Sequence, residues 1–376
     1  MARGICGALC AIALAAGLFG CATPQIEGSF AGLQSLTAAD APGDPARLFI
    51  IHGMTAQTDD YADALVQGLE TRLGLSDKGA TPIDQPYPVA GAIAYDGADP
   101  FVNVRTYRLY DGGQERLRIS ALNWSRLTES IKQHQFRRDD AIERALINGD
   151  IKVHVVNDGV GDAALYLGTY QPVMRRGVMI GLCAFLDGTF QSDRCTATTT
   201  RSSAPVALIS ESLGSYMLLD AIEALDTKPN SAAGRPLFLR MRDFYMFANQ
   251  VPLLELADLR PPAARAALAT EAPAGSAKFE AFLARIRKMH AAKAPGAPLQ
   301  IVAFTDPNDL LSYRISRYNL FENGAAPSSY HAANVLYPVA PAYFGLFADP
   351  LKAHTGYSSD AGVLDLVTCG TTGCAK

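Results

Sequence analysis

Residues 206–219 read V-A-L-I-S-E-S-L-G-S-Y-M-L-L, and they combine two hydrophobic patterns in one short stretch. The continuous apolar run at residues 206–209 is typical of a buried parallel strand. Tyr216 and Leu219 follow at the spacing of one helix face. The stretch therefore predicts a strand that turns directly into a helix, with Ser212 at the turn, and it favours an α/β fold.

The residues around Ser212 are small where such a sharp turn needs them to be. A serine presented on a strained strand-to-helix turn requires small residues two positions before and two positions after it, because the strand and helix backbones pass close together. Ser210 and Gly214 occupy these positions. The usual pattern is G-x-S-x-G, and this chain departs from it by having Ser210 in place of the first glycine. Ser212 is therefore a candidate nucleophile.

A second turn that suits catalytic chemistry comes early in the chain. Residues 48–51 form a continuous apolar run that ends in His52-Gly53-Met54, and a helical pattern follows. A glycine at such a turn lets a backbone N–H face a substrate oxygen without a side chain in the way. His52 itself is interpreted as a structural turn residue rather than a base.

Two aspartates follow the apolar strand predicted at residues 299–304. A carboxylate just beyond this strand, the second strand after Ser212, could orient a histidine and stabilise its charged form. Asp309 is preferred because it is followed by Leu-Leu-Ser, similar to the acid turn of many hydrolases. Asp306 is the alternative, although its side chain could instead cap the turn.

His354 is the preferred histidine. Of the six histidines, only His331 and His354 follow the two aspartates. His331 precedes the last predicted strand, at residues 334–339, where a structural role is expected. His354 lies in a predicted loop between that strand and a closing helix at residues 359–367. Its small neighbours would let the ring reach Ser212, so His354 is predicted to be the general base.

These motifs together resemble the α/β-hydrolase fold of lipases and esterases, over most of the chain from residue 47 onwards. The chain order of serine, acid and histidine is that of the family. The resemblance implies a mostly parallel central sheet with helices on both faces. It further implies that Ser212, Asp309 and His354 form a catalytic triad, that the amides of Met54 and Leu213 bind the oxyanion, and that neither a metal nor an organic cofactor is needed.

The region between the first strands and Ser212 is longer than one crossover helix requires. Residues 102–110 and 114–124 flank Asp-Gly-Gly and predict a hairpin. Residues 126–203 then predict a helical insertion that could act as a lid. Within it, residues 151–156 alternate in hydrophobicity and predict a strand carrying His154.

Composition excludes several classes of protein. The chain has 376 residues, 49% of them hydrophobic, so it can bury a large core. Its net charge is −4 and no lysine or arginine run exceeds a pair, which argues against a nucleic-acid partner.

The N-terminus has the features of an export signal. Residues 1–20 contain Arg3 and then a short apolar segment that ends in Leu-Phe-Gly before Cys21. This ending resembles a bacterial lipobox, in which Cys21 would be acylated and anchor the protein to the membrane; an ordinary signal peptide is the alternative. Ala22 then implies an outer-membrane lipoprotein facing the periplasm. Residues 21–46 are predicted to be a flexible tether, and residues 47–376 the folded domain.

The cysteines that would remain after export and acylation number four: Cys183, Cys195, Cys369 and Cys374. An even number in an exported protein predicts two disulfides. Short loops favour the pairs Cys183 with Cys195 and Cys369 with Cys374, although three pairings are open. A zinc site is not expected, because histidines at ligand spacing are missing.

Two functions from different classes fit the sequence. The first is a serine hydrolase that cleaves carboxyl esters, with lipidic esters favoured by the apolar insertion and the membrane anchor. The alternative is a lipoprotein that has kept the fold without the activity and works as a binding or envelope-assembly module. The missing first glycine at Ser210 favours this alternative.

Overall fold

The computed structural model describes residues 24–38, 44–140, 142–197, 203–226, 231–259, 278–291, 298–315, 329–343 and 346–374. The predicted signal segment and Cys21 lie outside these residues.

A nine-stranded sheet forms the centre of the protein, in the order β1-β11-β10-β9-β8-β2-β5-β4-β3. Six adjacent strands, from β11 to β5, are parallel, and β1, β3 and β4 are antiparallel to their neighbours. Two short hairpins, β6-β7 and β12-β13, lie outside this sheet. The strands are β1 Gln25–Glu27, β2 Ala46–Ile51, β3 Ile83–Pro88, β4 Phe101–Asp111, β5 Gln114–Asn123, β6 Gly188–Gln191, β7 Arg194–Ala197, β8 Val206–Glu211, β9 Met241–Phe247, β10 Leu299–Thr305, β11 Tyr330–Leu336, β12 Ala342–Tyr343 and β13 Phe347–Ala348.

Helices connect the strands and cover both faces of the sheet. They are α1 Gln34–Thr37, α2 Asp63–Leu73, α3 Glu129–Asp140, α4 Leu146–Asp150, a π-helix Ile151–Val160, α5 Gly161–Leu167, α6 Gln171–Phe185, α7 Leu213–Asp226, α8 Ser231–Arg240, α9 Val251–Leu254, α10 Lys278–Ala291, α11 Pro350–Thr355 and α12 Ala361–Cys369, with 3₁₀ turns at Ser125–Leu127, Glu255–Asp258 and Gly356–Ser359.

Alternating residues of the central strands feed two separate cores. On β2, Phe49 and Ile51 pack with helices α6, α7, α8 and α10. Leu48 and Ile50 of the same strand pack on the other face with α2 and α12. Strands that are buried on both faces read as continuous apolar runs, which explains the run in β8 from Val206.

The predicted fold class is confirmed. The sheet is mostly parallel, with helices on both faces, and the hairpin of β4 and β5 forms as expected. β5 lies parallel to β2, and antiparallel β4 lies beside β5. β8 lies beside β2 and parallel to it. The turn at Ser212, after β8, and the turn at His52, after β2, therefore lie at the same edge of the sheet.

The folded part of the chain begins earlier than predicted. Residues 24–38 were expected to belong to a flexible tether, but β1 pairs with the edge strand β11. Phe30 and Leu33 are buried in the core, and the amide of Leu33 donates to the carbonyl of Val367. The tether prediction is wrong for this segment, because a few apolar residues among glycines and serines were enough to extend the sheet edge.

The strand predicted at residues 151–156 is also wrong. These residues belong to the π-helix that runs from Ile151 to Val160. Alternation in a short apolar run does not distinguish strand from helix, and here the neighbouring helices α4 and α5 extend through it. Within the insertion, α6 packs in the main core together with Tyr166 of α5, and α3, α4 and the π-helix precede them as additional helices.

Both favoured disulfides form, Cys183 with Cys195 and Cys369 with Cys374. Disulfides persist in oxidising compartments and therefore indicate an extracytoplasmic location. Among the described residues, no helix combines the length and hydrophobicity that crossing a bilayer requires.

Candidate active site

Ser212 occupies a strained turn between β8 and α7. Its φ is +54°, in the left-handed region that residues with a side chain rarely adopt. The turn is held by a hydrogen bond from the Ser212 amide to the carbonyl of Phe247 at 2.9 Å. The surrounding sheet stabilises this strained backbone conformation. The turn presents the serine hydroxyl at the carboxyl edge of the parallel strands.

Two glycines make this turn sterically feasible. A Cβ on Gly214 would lie 2.4 Å from the carbonyl oxygen of His52, and a Cβ on Gly53 would lie 2.6 Å from the Cβ of Ser212. Real Cβ atoms do not approach other atoms this closely. The turns after β2 and β8 are therefore packed directly against each other, and glycine is required on both sides of the contact.

Ser210 takes the position of the missing first glycine without disturbing the turn. Its side chain is fully buried, and its hydroxyl lies 2.8 Å from the hydroxyl of Ser215 on α7. A buried hydroxyl with a partner satisfies its hydrogen-bonding requirement. The departure from the usual pattern is thus accommodated by a hydrogen bond that glycine could not make.

The three residues predicted as a triad lie in one hydrogen-bonded chain. The Nε2 of His354 is 3.0 Å from the hydroxyl of Ser212. Its Nδ1 is 2.9 Å from each carboxylate oxygen of Asp309. The Asp309 side chain is 1% exposed and that of His354 is 13% exposed. Because a carboxylate accepts only, Nδ1 carries a hydrogen, and in the neutral ring Nε2 is then free to accept the serine proton.

The two candidate aspartates make different contacts. Asp309 contacts His354. Asp306 instead accepts hydrogen bonds from the amides of Asn308, Val339 and Ala340, at 2.7 to 2.9 Å. Asp306 therefore caps the turns after β10 and β11. Turn capping is the other role that the sequence indicates for this side chain.

His354 lies on a helix rather than in the predicted loop. α11 begins after Asp349, whose side chain accepts from the amides of Leu351 and Lys352 and caps the helix. His354 is in the last turn of this short helix. The loop prediction was wrong because six residues are too few to show a helical hydrophobic period, although Asp349 as cap and Pro350 as first residue are typical of a helix start. The helix fixes the direction in which the imidazole leaves the backbone.

His52 is a buried structural residue, as predicted. Its ring stacks on Trp124 at 4.8 Å and accepts a hydrogen bond at Nε2 from the Trp124 amide. Nδ1 therefore carries the hydrogen and donates to the carbonyl of Gly53 at 2.8 Å. Burial lowers the pKa of His52 to about 4, and the nearby Lys132 charge also lowers it, so the ring is neutral at pH 7.

The Gly53 hydrogen bond orients the next peptide unit. In a trans peptide, the C=O and the following N–H point in opposite directions. Because the Gly53 carbonyl faces the His52 ring, the Met54 amide faces away from it. Neither the Met54 amide nor the Leu213 amide has an acceptor among the residues that the structure describes. Both amides adjoin the contact between Gly53 and Ser212.

A buried ion pair from the insertion holds the far end of this turn, and sequence analysis missed it. The Thr55 amide donates to Asp162 at 2.9 Å, and Thr55 itself has a φ of +81°. Asp162 is paired with Lys132 at 2.8 Å, and the two side chains are 0% and 4% exposed. A Cβ added to Gly159 of the π-helix would lie 3.9 Å from the side chains of Met54 and Thr55, so the π-helix passes close to this turn. Asp162 and Lys132 are isolated charged residues on predicted helices, so no sequence pattern indicated that they would meet Thr55.

Glu211 is a further carboxyl close to the triad. Burial raises the pKa of Glu211 to about 7; the charge of His354 opposes this shift and that of Asp309 adds to it. The Glu211 carboxyl, which interacts electrostatically with His354 and Asp309, therefore changes charge near neutral pH. In the sequence, Glu211 carried no functional prediction and was included only in the stretch of residues 206–219.

Groups of histidine, cysteine, aspartate or glutamate arranged to hold a metal ion do not occur in the described ranges. His154 is exposed on the π-helix, and His331 is exposed on β11. The side chain of His290, like Cys21, lies outside the described part of the chain. Within that part, the hydrogen-bonded group around Ser212 is where the predicted site residues meet.

Comparisons with known proteins give little further information. No family model matches the chain, and no curated protein matches it. Among solved structures, the chain is similar to acetyl xylan esterase 1 from Thermoanaerobacterium sp. JW/SL YS485, with 9% identity over 81% of this chain and 90% of that one, and a TM-score of 0.22. At this TM-score, the likeness supports no statement about activity.

Proposed function

We propose that the protein is a serine hydrolase that cleaves carboxyl esters through a triad of Ser212, His354 and Asp309. The observation that carries this proposal is the continuous chain of hydrogen bonds from the Ser212 hydroxyl through His354 to Asp309, on a strained turn. Nucleophile, base and orienting acid within hydrogen-bond reach are the geometric requirements of nucleophilic acyl transfer.

In the first half of the reaction, the Ser212 oxygen forms a bond to the ester carbonyl carbon. The serine proton passes to Nε2 of His354, and the carbonyl electron pair moves onto its oxygen. When the tetrahedral adduct collapses, the bond to the alcohol oxygen breaks and the imidazolium returns the proton to that alcohol. A water molecule then repeats both steps on the acyl-enzyme and releases the acid.

Two backbone amides, those of Met54 and Leu213, are proposed to stabilise the negative oxygen of each tetrahedral adduct. Met54 N–H is oriented by the His52 hydrogen bond to Gly53, and Leu213 N–H lies at the first position of α7. Amides at a helix N-terminus have no intrahelical acceptor and carry positive partial charge. Fixed donors of this kind can lower an acyl-transfer barrier by several kcal/mol, about 3 for one donor.

The proposed substrates are esters with apolar acyl groups, held by an enzyme attached to a membrane. Exposed apolar side chains on the described helices of the insertion, at Ile151, Val156 and Val160, support a lid that covers such groups. Acylation of Cys21 would attach the protein to the outer membrane on the periplasmic side, in agreement with its disulfides. An ester substrate and the membrane are then its two partners.

A fluorophosphonate probe tests the proposal, because it reacts with activated serines. We expect the probe to label the wild-type protein and not Ser212→Ala, and we expect His354→Ala to abolish labelling without unfolding the protein. Ser359→Ala is the matched control, since Ser359 is an exposed serine close to His354 in sequence, and it should label normally.

If the wild-type protein resists the probe between pH 6 and 9 while its circular dichroism spectrum is that of a folded protein, the hydrolase proposal is wrong. The binding or assembly module would then be the better description of this fold. If labelling is specific, hydrolysis rates for p-nitrophenyl esters of increasing chain length establish the preferred acyl group.

A further inference from the structure

The first described strand leaves the sheet edge at the same end as the triad. β1 is antiparallel to β11, with Gln25 opposite Leu336 and Glu27 opposite Asn334. Leu336 is the last residue of β11, so Gln25 lies at the carboxyl edge of the parallel strands. The Ser212, Asp309 and His354 turns lie at this edge as well. β1 therefore begins at the edge of the sheet where the site lies.

Little chain separates this point from the predicted lipid anchor. Cys21 precedes Gln25 by four positions. Four residues span at most about 14 Å when fully extended. A lipid on Cys21 inserts into the bilayer, so an acylated chain would hold this edge of the sheet close to the membrane surface.

β1 is also connected to the loop that carries the acid. Glu27 accepts from Arg314 at 2.9 Å and from the side-chain amide of Asn334 at 2.9 Å. Arg314 follows Asp309 in the loop after β10. The first strand, the acid loop and the end of β11 therefore form one connected surface around the site.

Large apolar side chains are exposed on the connections after β10 and β11, which carry Asp309 and His354. Leu346 is 90% exposed, Leu310 is 75% exposed and Phe347 is 63% exposed. Leu310 directly follows Asp309, and Leu351 is one helical turn before His354 on α11. The complete set, named here the apolar rim, consists of Leu310, Tyr313, Tyr343, Leu346, Phe347 and Leu351. These exposed apolar groups are concentrated on the connections that follow two adjacent strands, β10 and β11, and such a concentration marks an interaction surface.

We propose that the apolar rim is a lipid-binding surface that seats the edge carrying Ser212 on the membrane to which Cys21 is attached. This rests on the lipid-anchor part of the proposed function. The occupant is a lipid surface because the anchor is attached within about 14 Å of this edge, which favours the bilayer over any partner that must diffuse to it. Leucine, phenylalanine and tyrosine side chains are those that insert at the boundary between headgroups and acyl chains.

The orientation has a functional consequence. Ser212 would open towards the bilayer, so esters embedded in the membrane would reach it without passing through the periplasm. Leu310 directly follows Asp309, and Leu351 lies one turn before His354 on α11, so lipid contacts and catalytic groups lie on the same two chain segments.

Fluorescence quenching tests the orientation directly. The lipidated Ser212→Ala protein is reconstituted into phosphatidylcholine vesicles that contain nitroxide-labelled lipids, with a single bimane label at Phe347→Cys or at Ile83→Cys. Ile83 is the matched control, because it is an exposed apolar residue on β3 at the opposite edge of the sheet. We expect several-fold stronger quenching at position 347 than at position 83.

Three results would overturn the proposal. They are equal quenching at the two positions, a mass spectrum without an acyl group on Cys21, and burial of the position-347 label by increasing protein concentration without lipid, which would indicate a second copy as the occupant. Because Ser212→Ala is used, these outcomes are independent of whether the protein is a hydrolase.

Activity provides a second measurement. Leu346→Ser with Phe347→Ser should lower hydrolysis of a vesicle-embedded ester about tenfold, since two large apolar side chains no longer bind lipid. Hydrolysis of a short water-soluble ester should be unchanged, and Ile83→Ser should change neither rate. Equal losses on both esters would indicate damage to the site and contradict the proposed surface.

Discussion

Ser212 is flanked by two sides that are built differently. On one side, Asp309 and His354 come from the connections after β10 and β11, two adjacent strands of the regular sheet. On the other side, the turn at Gly53 and Met54 is held by Asp162, which is 107 residues away from Thr55 in the chain. Sheet topology alone brings the first side together, whereas the second depends on an insertion whose position the sheet does not determine.

The largest expected effect is on the side of the acid. Asp309→Asn should lower kcat about 10⁴-fold with little change in KM, because the amide no longer favours the ring tautomer that accepts the serine proton. Ester hydrolysis under saturating substrate measures this, with the melting temperature as the control for folding.

Asp306→Ala is the matched comparison for this experiment. It removes the acceptor of the Asn308, Val339 and Ala340 amides, so the free energy of unfolding should fall by about 3 kcal/mol or more. Chemical denaturation measures the change. If Asp306→Ala abolished activity in a fully stable protein while Asp309→Asn remained active, the assignment of the acid would be reversed.

The second prediction concerns the side that the insertion holds. Asp162→Leu combined with Lys132→Met removes the ion pair and also the acceptor of the Thr55 amide. We expect kcat to fall about 100-fold with KM unchanged, because the Met54 amide loses its fixed orientation. Single-turnover kinetics with a chromogenic ester measure the chemical step.

Asp162→Asn combined with Lys132→Met is the matched control. It also removes both charges but keeps a side-chain oxygen that can accept from Thr55 N–H, so its kcat should stay within a few-fold of wild type. Replacing a buried ion pair by neutral groups is often close to neutral for stability. Similar kcat values for the two double variants would show that Asp162 does not position the turn.

A smaller effect is expected from Glu211. Burial raises its pKa to about 7, so the carboxyl is protonated below pH 7 and charged above it. The charged form favours the His354 imidazolium that forms in the transition state. Glu211→Gln should therefore lower kcat/KM a few-fold above pH 7 and leave it nearly unchanged at pH 5.5, as a pH–rate profile would reveal. The neighbours that could mask this effect are Asp309 and Tyr61. An equal loss at all pH values would contradict the electrostatic role.

The smallest effect on activity is expected at the departure from the usual motif. Ser210→Gly restores G-x-S-x-G, but it removes the buried hydrogen bond to Ser215 and places glycine in a strand. We expect activity within about twofold of wild type and a loss of about 1 kcal/mol in the free energy of unfolding. Thermal denaturation measures the latter. A large gain in activity would mean that Ser210 impairs the turn.

Much of the site could be predicted because its residues are tied to regular elements. Ser212, Asp309 and His354 each follow an apolar run, and parallel strands bring their carboxyl ends to one edge. The errors fell where local patterns are ambiguous: the short helix around His354, the π-helix at residues 151–160, and the segment at residues 24–38 that joins the sheet. At residues 24–38, pairing with β11 and the hydrogen bond from Leu33 to Val367 outweighed a weak local preference, whereas the helix around His354 is too short to show a hydrophobic period.

The sequence by itself indicated the central strands β2, β8, β9 and β10, the strained turn at Ser212, and a short set of partners for it, namely His354 and two candidate aspartates. Hydrophobic periodicity and glycine requirements are local properties of the chain, so they can be recognised without the fold. Only the tertiary structure decided that Asp309 rather than Asp306 reaches His354, that Asp162, paired with Lys132, holds the turn at Thr55, and that β1 begins at the edge of the sheet where the site lies. These contacts join residues far apart in the chain. Burial strengthens the electrostatic interactions of an ion pair or a carboxylate, and the neighbouring residues in the sequence do not reveal which charged groups are buried.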